Sequence, residues 1–381
     1  MARLRIVVLA PLAGFTVGVT ADRRSEEQVE LLRRRGGRVL LGPSIRTVPH
    51  SPHDRLRTAI EAVVADPPDF VVLTTGMGAR GWFDAADSLG LGSALLGALR
   101  QATVLARGPK AAGAAVAAGL EVAWRAPSDR SEELVAHLAG QGVAGRRVAV
   151  QLDGRDDPVL GDALSAQGWQ VVDVPVYRWT RPEDIAPARR LIDAACERRL
   201  DAVTFTTSPA LGNLLDLAAE LGRDDDLRAA FDDTVVATCV GPVCAESAAR
   251  LGITRTIQPA RPRLGAMVQA LAAHLAGRAR ALVGGETTLV VQGSLAVVDG
   301  REVELADRER AVLDALAERP GVVVSKAALV ARVWGTGEVD EHAVEVTVAR
   351  LRRRLGPAGG LIATTPRRGY RLVATPGPPP T

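Results

Sequence analysis

Lysine is almost missing from this chain. Lys110 and Lys326 are its two lysines, and neither stands in a G-x-x-x-x-G-K-[ST] loop, which argues against a P-loop NTPase. Aromatics make up 3% of residues, too few for a base-stacking surface along single strands. The three cysteines, Cys196, Cys239 and Cys244, form no C-x-x-C pair. That odd count argues against a disulfide framework or a zinc site and reads as reduced thiols in a cytoplasmic protein. No apolar run reaches the ~18 residues a membrane span needs; the stretch Ala111–Trp124 is short, small-sided and carries Glu121. The five histidines are scattered, and His50 and His53 have only Asp54 beside them, so no metal or other cofactor is expected. Asp153-Gly154-Arg155-Asp156-Asp157 lacks calcium-loop spacing and reads as a turn. The apolar start Ile6–Gly14 reads as a short leader or loose segment.

What remains is ordinary globular material: 381 residues, 47% hydrophobic and 24% charged, enough for two or three domains. An internal repeat organises the first two thirds. Asp69-Phe70-Val71-Val72-Leu73-Thr74-Thr75-Gly76 is echoed by Asp201-Ala202-Val203-Thr204-Phe205-Thr206-Thr207-Ser208. Arg107-Gly108-Pro109 is echoed by Val240-Gly241-Pro242, and Gly36-Gly37-Arg38-Val39 by Gly168-Trp169-Gln170-Val171. Short apolar runs such as Phe70–Leu73, Val148–Gln151, Val171–Val176 and Val235–Cys239 alternate with amphipathic helical patterns. This is an α/β signature of two similar parallel-sheet domains.

In such sheets, ligands sit at the carboxyl ends of strands, where helix N-termini point their N–H groups outward. The repeat puts Thr74, Thr75, Gly76 and Gly108 at these junctions in one unit, and Thr206, Thr207, Ser208 and Gly241 in the other. Hydroxyls and glycines there serve either as helix caps or as an anion cradle.

The order of strand-Thr-Thr, Gly-Pro-helix and Val-Pro-Val-Tyr elements resembles uroporphyrinogen-III synthase over about residues 14–275. The resemblance implies two discontinuous domains, 15–42 with 177–277 and 45–174. It also implies an acidic tetrapyrrole held by main-chain N–H groups, with Tyr177 at the position of the family's catalytic tyrosine. The sequence departs from the family pattern. Leu73-Thr74-Thr75 replaces F-T-S, Ala111 and Cys244 stand where a Thr is usual, and Arg23 is displaced from the early T-R-P. Those changes remove hydroxyl donors and favour a sensor over an active synthase.

Residues 278–287 read as a Gly-rich linker, and a different module follows over 288–375. Alternating strands flank the hairpin signal Asp299-Gly300, then come helices over about Asp307–Glu318, Ser325–Val333 and Asp340–Leu355, with Asp307 and Ser325 as N-caps. Val344, Val348, Leu351 and Leu355 make the core stripe of the third helix. Seven arginines and no acid lie between Thr347 and Arg371, so the formal charge of +3 is concentrated there. Leu305-Ala306-Asp307-Arg308-Glu309, Val346-Thr347-Val348-Ala349-Arg350-Leu351-Arg352-Arg353 and Gly369-Tyr370-Arg371 resemble the winged-helix effector of two-component response regulators. The resemblance implies that His342, Thr347, Arg350 and Arg354 face double-stranded DNA from the helix, and Thr364, Arg367 and Arg368 from the wing. No receiver domain accompanies it.

The expectation is a transcription regulator in which a synthase-like module senses an acidic small molecule or tetrapyrrole. A homodimer or a partner regulator would complete it. The fusion also resembles actinobacterial regulators of nitrate and nitrite assimilation. The other reading is an active uroporphyrinogen-III synthase with a DNA-binding tail.

Overall fold

The computed structural model describes residues 9–49, 55–142, 145–154, 159–335 and 339–378. His50, His53 and Asp54, and Arg155 through Asp157, lie outside them. The chain divides into two compact units, residues 1–44 with 183–381 and residues 45–182.

The unit 45–182 holds a parallel five-stranded sheet in the order Val122–Arg125, Thr103–Ala106, Phe70–Leu73, Arg147–Gln151, Gln170–Val174. Its inner strands are apolar on both faces because helices cover both: Val71 and Val72 point to opposite sides and both are fully buried. A two-stranded antiparallel ribbon, Arg46–Pro49 with Tyr177–Thr180, completes this unit. The run expected as one strand over Val171–Val176 therefore stops at Val174, and Tyr177 begins a separate strand. That strand places Tyr177 in the unit 45–182, although the resemblance assigned it to the other domain.

The other unit contains a parallel sheet in the order Thr256–Ile257, Val236–Cys239, Ala202–Phe205, Thr16–Val19, Arg38–Leu41. The two sheets have the same internal order, with a permuted chain path. Thr16–Val19 and Arg38–Leu41 take the places that Arg147–Gln151 and Gln170–Val174 hold in the other sheet. This explains why the repeat pairs residues 36–39 with 168–171. Of the expected leader Ile6–Gly14, residues 6–8 lie outside the described residues, and the remainder is packed. Leu12 is fully buried and its N–H donates to the Arg35 carbonyl at 2.8 Å.

The same unit carries the C-terminal module. Residues 278–287, expected as a linker, contain the strand Arg280–Gly284. It pairs antiparallel with Thr287–Gln292 on one side and with Thr375–Pro376 on the other. Leu282 on this strand is buried in the module's core, so apolar packing takes the segment out of solvent. Leu295–Val298 and Arg301–Glu304 extend the sheet, joined by Asp299 (φ 49°) and Gly300 (φ 86°), the left-handed pair a two-residue hairpin needs. Helices Asp307–Ala317, Lys326–Trp334 and His342–Leu355 follow, then the hairpin Ile362–Thr365 with Gly369–Leu372. Ser325 caps its helix by accepting from the Ala328 N–H at 3.1 Å. Asp307 is not the cap expected: the helix begins at Asp307, and the Glu309 carboxylate accepts from the preceding Ala306 N–H at 2.9 Å. Val344, Val348, Leu351 and Leu355 are all buried, each contributing about 1.5–3 kcal/mol.

Candidate ligand junctions and nucleic-acid interface

In the unit 45–182, the Thr-Thr junction is a closed polar cluster. Thr74 is buried, and its hydroxyl donates to the Gln151 carbonyl at 2.7 Å. Thr75 caps the Gly76–Ser88 helix by accepting from the Gly78 N–H at 3.0 Å, while its own N–H donates to Gln151 Oε1 at 3.0 Å. Tyr177 reaches the same hydroxyl from the ribbon, with its OH 3.3 Å from Thr75 Oγ1 and donating to the Asp153 carbonyl at 2.9 Å. Gly154 (φ 86°) makes this approach possible: a Cβ there would lie 2.3 Å from the tyrosine ring. Gly76 is equally constrained, since a Cβ would meet the Lys110 carbonyl at 2.3 Å. Arg107 pairs with Asp153 at 2.8 Å, both largely buried. Gly108 precedes the Pro109–Ala117 helix beside Asp129. Burial raises the Asp129 carboxyl above the usual range, and Arg125, Arg107 and Lys110 oppose that rise.

Sequence reasoning missed Gln151 and Asp153. Gln151 is fully buried at the end of an apolar strand, and a buried amide in that position was the available signal.

The corresponding junction in the other unit is built differently. Thr207 precedes the Ser208–Glu220 helix, but its side chain makes no cap, and its buried Oγ1 has no partner among the described residues. Thr206 is half-buried beside it. Ser208 donates weakly to the Val243 carbonyl at 3.4 Å. Gly241 packs on Pro262, where a Cβ would come within 2.7 Å. Behind it Cys239 is buried; its hydrogen bond to Cys244 and its burial both push the thiol up, which suits packing and not nucleophilic chemistry. Among the described residues no group of His, Cys, Asp or Glu could hold a metal ion, and no helix is long and apolar enough to cross a membrane.

The His342–Leu355 helix exposes His342, Glu345, Ala349, Arg350, Arg353 and Arg354. Of these, Arg350 and Arg353 make no ion pair among the described residues, and Arg353 belongs to the expected basic cluster without having been among the residues that the resemblance carried over as DNA contacts. Two expected DNA-facing residues are otherwise engaged. Thr347 is buried, and its hydroxyl donates back to the Ala343 carbonyl at 2.7 Å. Arg354 pairs with the buried Glu309 at 2.8 Å and donates to the Glu304 carbonyl at 3.0 Å. His342 lies 3.3 Å from Glu345, whose carboxyl is held below the usual range chiefly by its hydrogen bond from Lys326. On the wing, Thr364, Arg367 and Arg368 are exposed, and Arg367 sits at φ 61° in the turn. Arg352 braces this hairpin, donating to the Ile362 carbonyl and to Thr364 Oγ1 at 2.8 Å. The result is an exposed set of guanidinium groups on one helix and one hairpin, the chemistry that duplex phosphates and guanine edges recognise.

Comparison with known proteins accounts for both parts. Residues 26–269 match the family described as Uroporphyrinogen-III synthase HemD, and residues 300–372 match the family described as Transcriptional regulatory protein, C terminal. A putative uroporphyrinogen-III synthase of Methanothermobacter thermautotrophicus is 30% identical over 253 residues, covering 66% of this chain and 95% of that protein. The structure of a mutant uroporphyrinogen III synthase from Thermus thermophilus superimposes with a TM-score of 0.58 at 29% identity, covering 68% of this chain and 99% of that one. The response regulator protein PmrA of Pseudomonas aeruginosa is 41% identical over 111 residues, 29% of this chain and 49% of that regulator. The chain therefore belongs to the uroporphyrinogen-III synthase family, and behind that module it carries a winged-helix DNA-binding domain of the response-regulator type.

Proposed function

We propose that this protein is a transcription factor whose synthase-like module senses an acidic small molecule or a tetrapyrrole. The observation that carries this reading is the pairing of exposed Arg350 and Arg353 on the recognition helix, which make no ion pair among the described residues, with exposed Arg367 and Arg368 on the wing. Phosphate contacts from the wing would fix the register, and Arg350 and Arg353 would reach the major groove. The targets we assign are genes of nitrate and nitrite assimilation, on the architectural resemblance to regulators of those genes. A homodimer or a partner regulator would set the spacing of two half-sites. Selection of binding sequences from a random duplex pool tests the DNA reading. Enrichment of a defined site that Arg350→Ala abolishes is expected; no enrichment above a heparin control would refute it.

One observation favours synthase activity: Tyr177 is anchored between Thr75 and Asp153, so its hydroxyl has a fixed position at the strand ends. Assay with fresh hydroxymethylbilane decides between the readings. A sensor gives no turnover above the spontaneous cyclisation, whereas an enzyme gives turnover that falls in Tyr177→Phe.

A further inference from the structure

The winged helix does not hang from the synthase-like lobe on a tether. A closed ring of polar contacts ties its recognition helix to the amino-terminal edge of the sheet formed by Thr16–Val19, Arg38–Leu41 and Ala202–Phe205. Asp201, only 3% exposed, accepts from the Thr16 N–H at 2.8 Å and pairs with Arg310 of the Asp307–Ala317 helix. The neighbouring Glu309 pairs with Arg354 of the recognition helix, and Arg354 donates to the Glu304 carbonyl. Glu304 pairs with Arg38, whose Nε donates to Thr16 Oγ1 at 3.3 Å and closes the ring.

A second set of hydrogen bonds lies beside it. The Ser294 N–H and hydroxyl both donate to the Gly14 carbonyl, at 2.8 and 2.9 Å. Gln292 Nε2 donates to the carbonyls of Ala10 and Ala13, each at 3.0 Å. Gln292 and Ser294 are buried, which is tolerable only where their partners are fixed. Gly14 (φ 77°) and Gly293 (φ 58°) face each other so closely that a Cβ on either would collide, at 2.2 Å from the Gln292 carbonyl and 2.4 Å from the Gly14 carbonyl. The repeat supplies an internal comparison. Asp69 occupies the place of Asp201 in the other sheet and accepts the Arg147 N–H at 2.8 Å, yet it is exposed and carries no ion pair among the described residues.

We propose that this ring is a clamp that makes the Thr16 lobe and the winged helix one rigid body, so that the lobe sets the orientation in which Arg350 and Arg353 are presented. The clamp requires no ligand and no DNA, and its test is independent of the function proposed above. Hydrogen exchange of the full chain reads it directly through the Ser294 amide, whose acceptor Gly14 belongs to the lobe. In the wild type this amide should exchange far more slowly than that of Gly285 in its turn. In the Arg38→Gln/Arg310→Gln double variant it should exchange about tenfold faster or more, while helices Ala186–Cys196 and His342–Leu355 keep their protection. Fast exchange in the wild type, or unchanged exchange in the double variant, would overturn the clamp. Should the double variant lose protection throughout, Arg310→Gln alone decides, because Arg310 holds Asp201, whereas Arg38 donates directly to the Ser294 hydroxyl. Faster exchange at Ser294 with both helices protected supports the clamp, and an unchanged rate refutes it.

Discussion

Asp69 and Asp201 stand at equivalent points of the two repeats and accept the same kind of backbone N–H at the same 2.8 Å, but only Asp201 is buried and paired with a guanidinium, that of Arg310. Removing the two carboxylates should therefore have unequal effects. Asp201→Ala leaves Arg310 without its main partner in a buried setting and should cost about 3–5 kcal/mol. Asp69→Ala removes one hydrogen bond near solvent and should cost about 0.5–1.5 kcal/mol. Urea unfolding of both variants measures the difference; equal costs would contradict the structural asymmetry.

The arginines of the recognition helix should separate into two groups. Arg350→Ala and Arg353→Ala should weaken DNA binding by about 1–3 kcal/mol where the base contact is bidentate, and Arg367→Ala and Arg368→Ala should flatten its salt dependence by about 0.9 in the log–log slope for each phosphate no longer neutralised, all with the melting temperature unchanged. Arg354→Ala should destabilise the winged helix by about 1–3 kcal/mol, because buried Glu309 loses its ion pair and keeps only the Ala306 N–H. Anisotropy titrations at two salt concentrations, run beside thermal melts, distinguish DNA binding from structural support.

Tyr177→Phe deletes a hydroxyl that bridges Thr75 and the Asp153 carbonyl, so the unit 45–182 should lose about 1–2 kcal/mol. Gly154→Ala should cost more than about 1 kcal/mol, since it adds a Cβ against the tyrosine ring at a positive φ. Trp82, Trp124, Trp169 and Trp179 all lie in this unit, which makes tryptophan fluorescence the natural probe.

Asp173 should impose a pH-dependent penalty. Its Oδ1 is buried without a hydrogen-bond partner among the described residues, and burial first, then Asp162, raises the carboxyl above its ordinary value. A raised folded pKa means the folded state binds more protons, so stability falls as pH rises from the ordinary carboxylate value through the raised one. Above that window the penalty is complete. Asp173→Asn should raise the melting temperature at neutral pH and remove this component of the pH dependence. A variant melting no higher than the wild type would count against it.

The parallel sheets were legible because a strand buried on both faces is dominated by apolar residues, as Phe70–Leu73 is. The recognition helix was legible because Val344, Val348, Leu351 and Leu355 keep one helical face. Polar partnerships were not. Thr74 meets Gln151 across 77 residues and Asp201 meets Arg310 across 109, distances at which no local pattern operates. The resemblance assigned Arg354 to the DNA-facing side, but nothing local in the sequence shows that the helix packed alongside supplies Glu309. The supposed linker misled for a related reason: Gly284-Gly285 signals a turn, and the turn here joins two paired strands.

The strand Arg280–Gly284 also bears on how this protein can be divided. A winged-helix fragment begun at residue 288 would omit it, leaving Leu289 and Val291 on an open sheet edge and Thr375–Pro376 with nothing to pair against. Such an edge invites association between copies. The working boundary of the DNA-binding module therefore lies near residue 278, just past the last helix of the lobe.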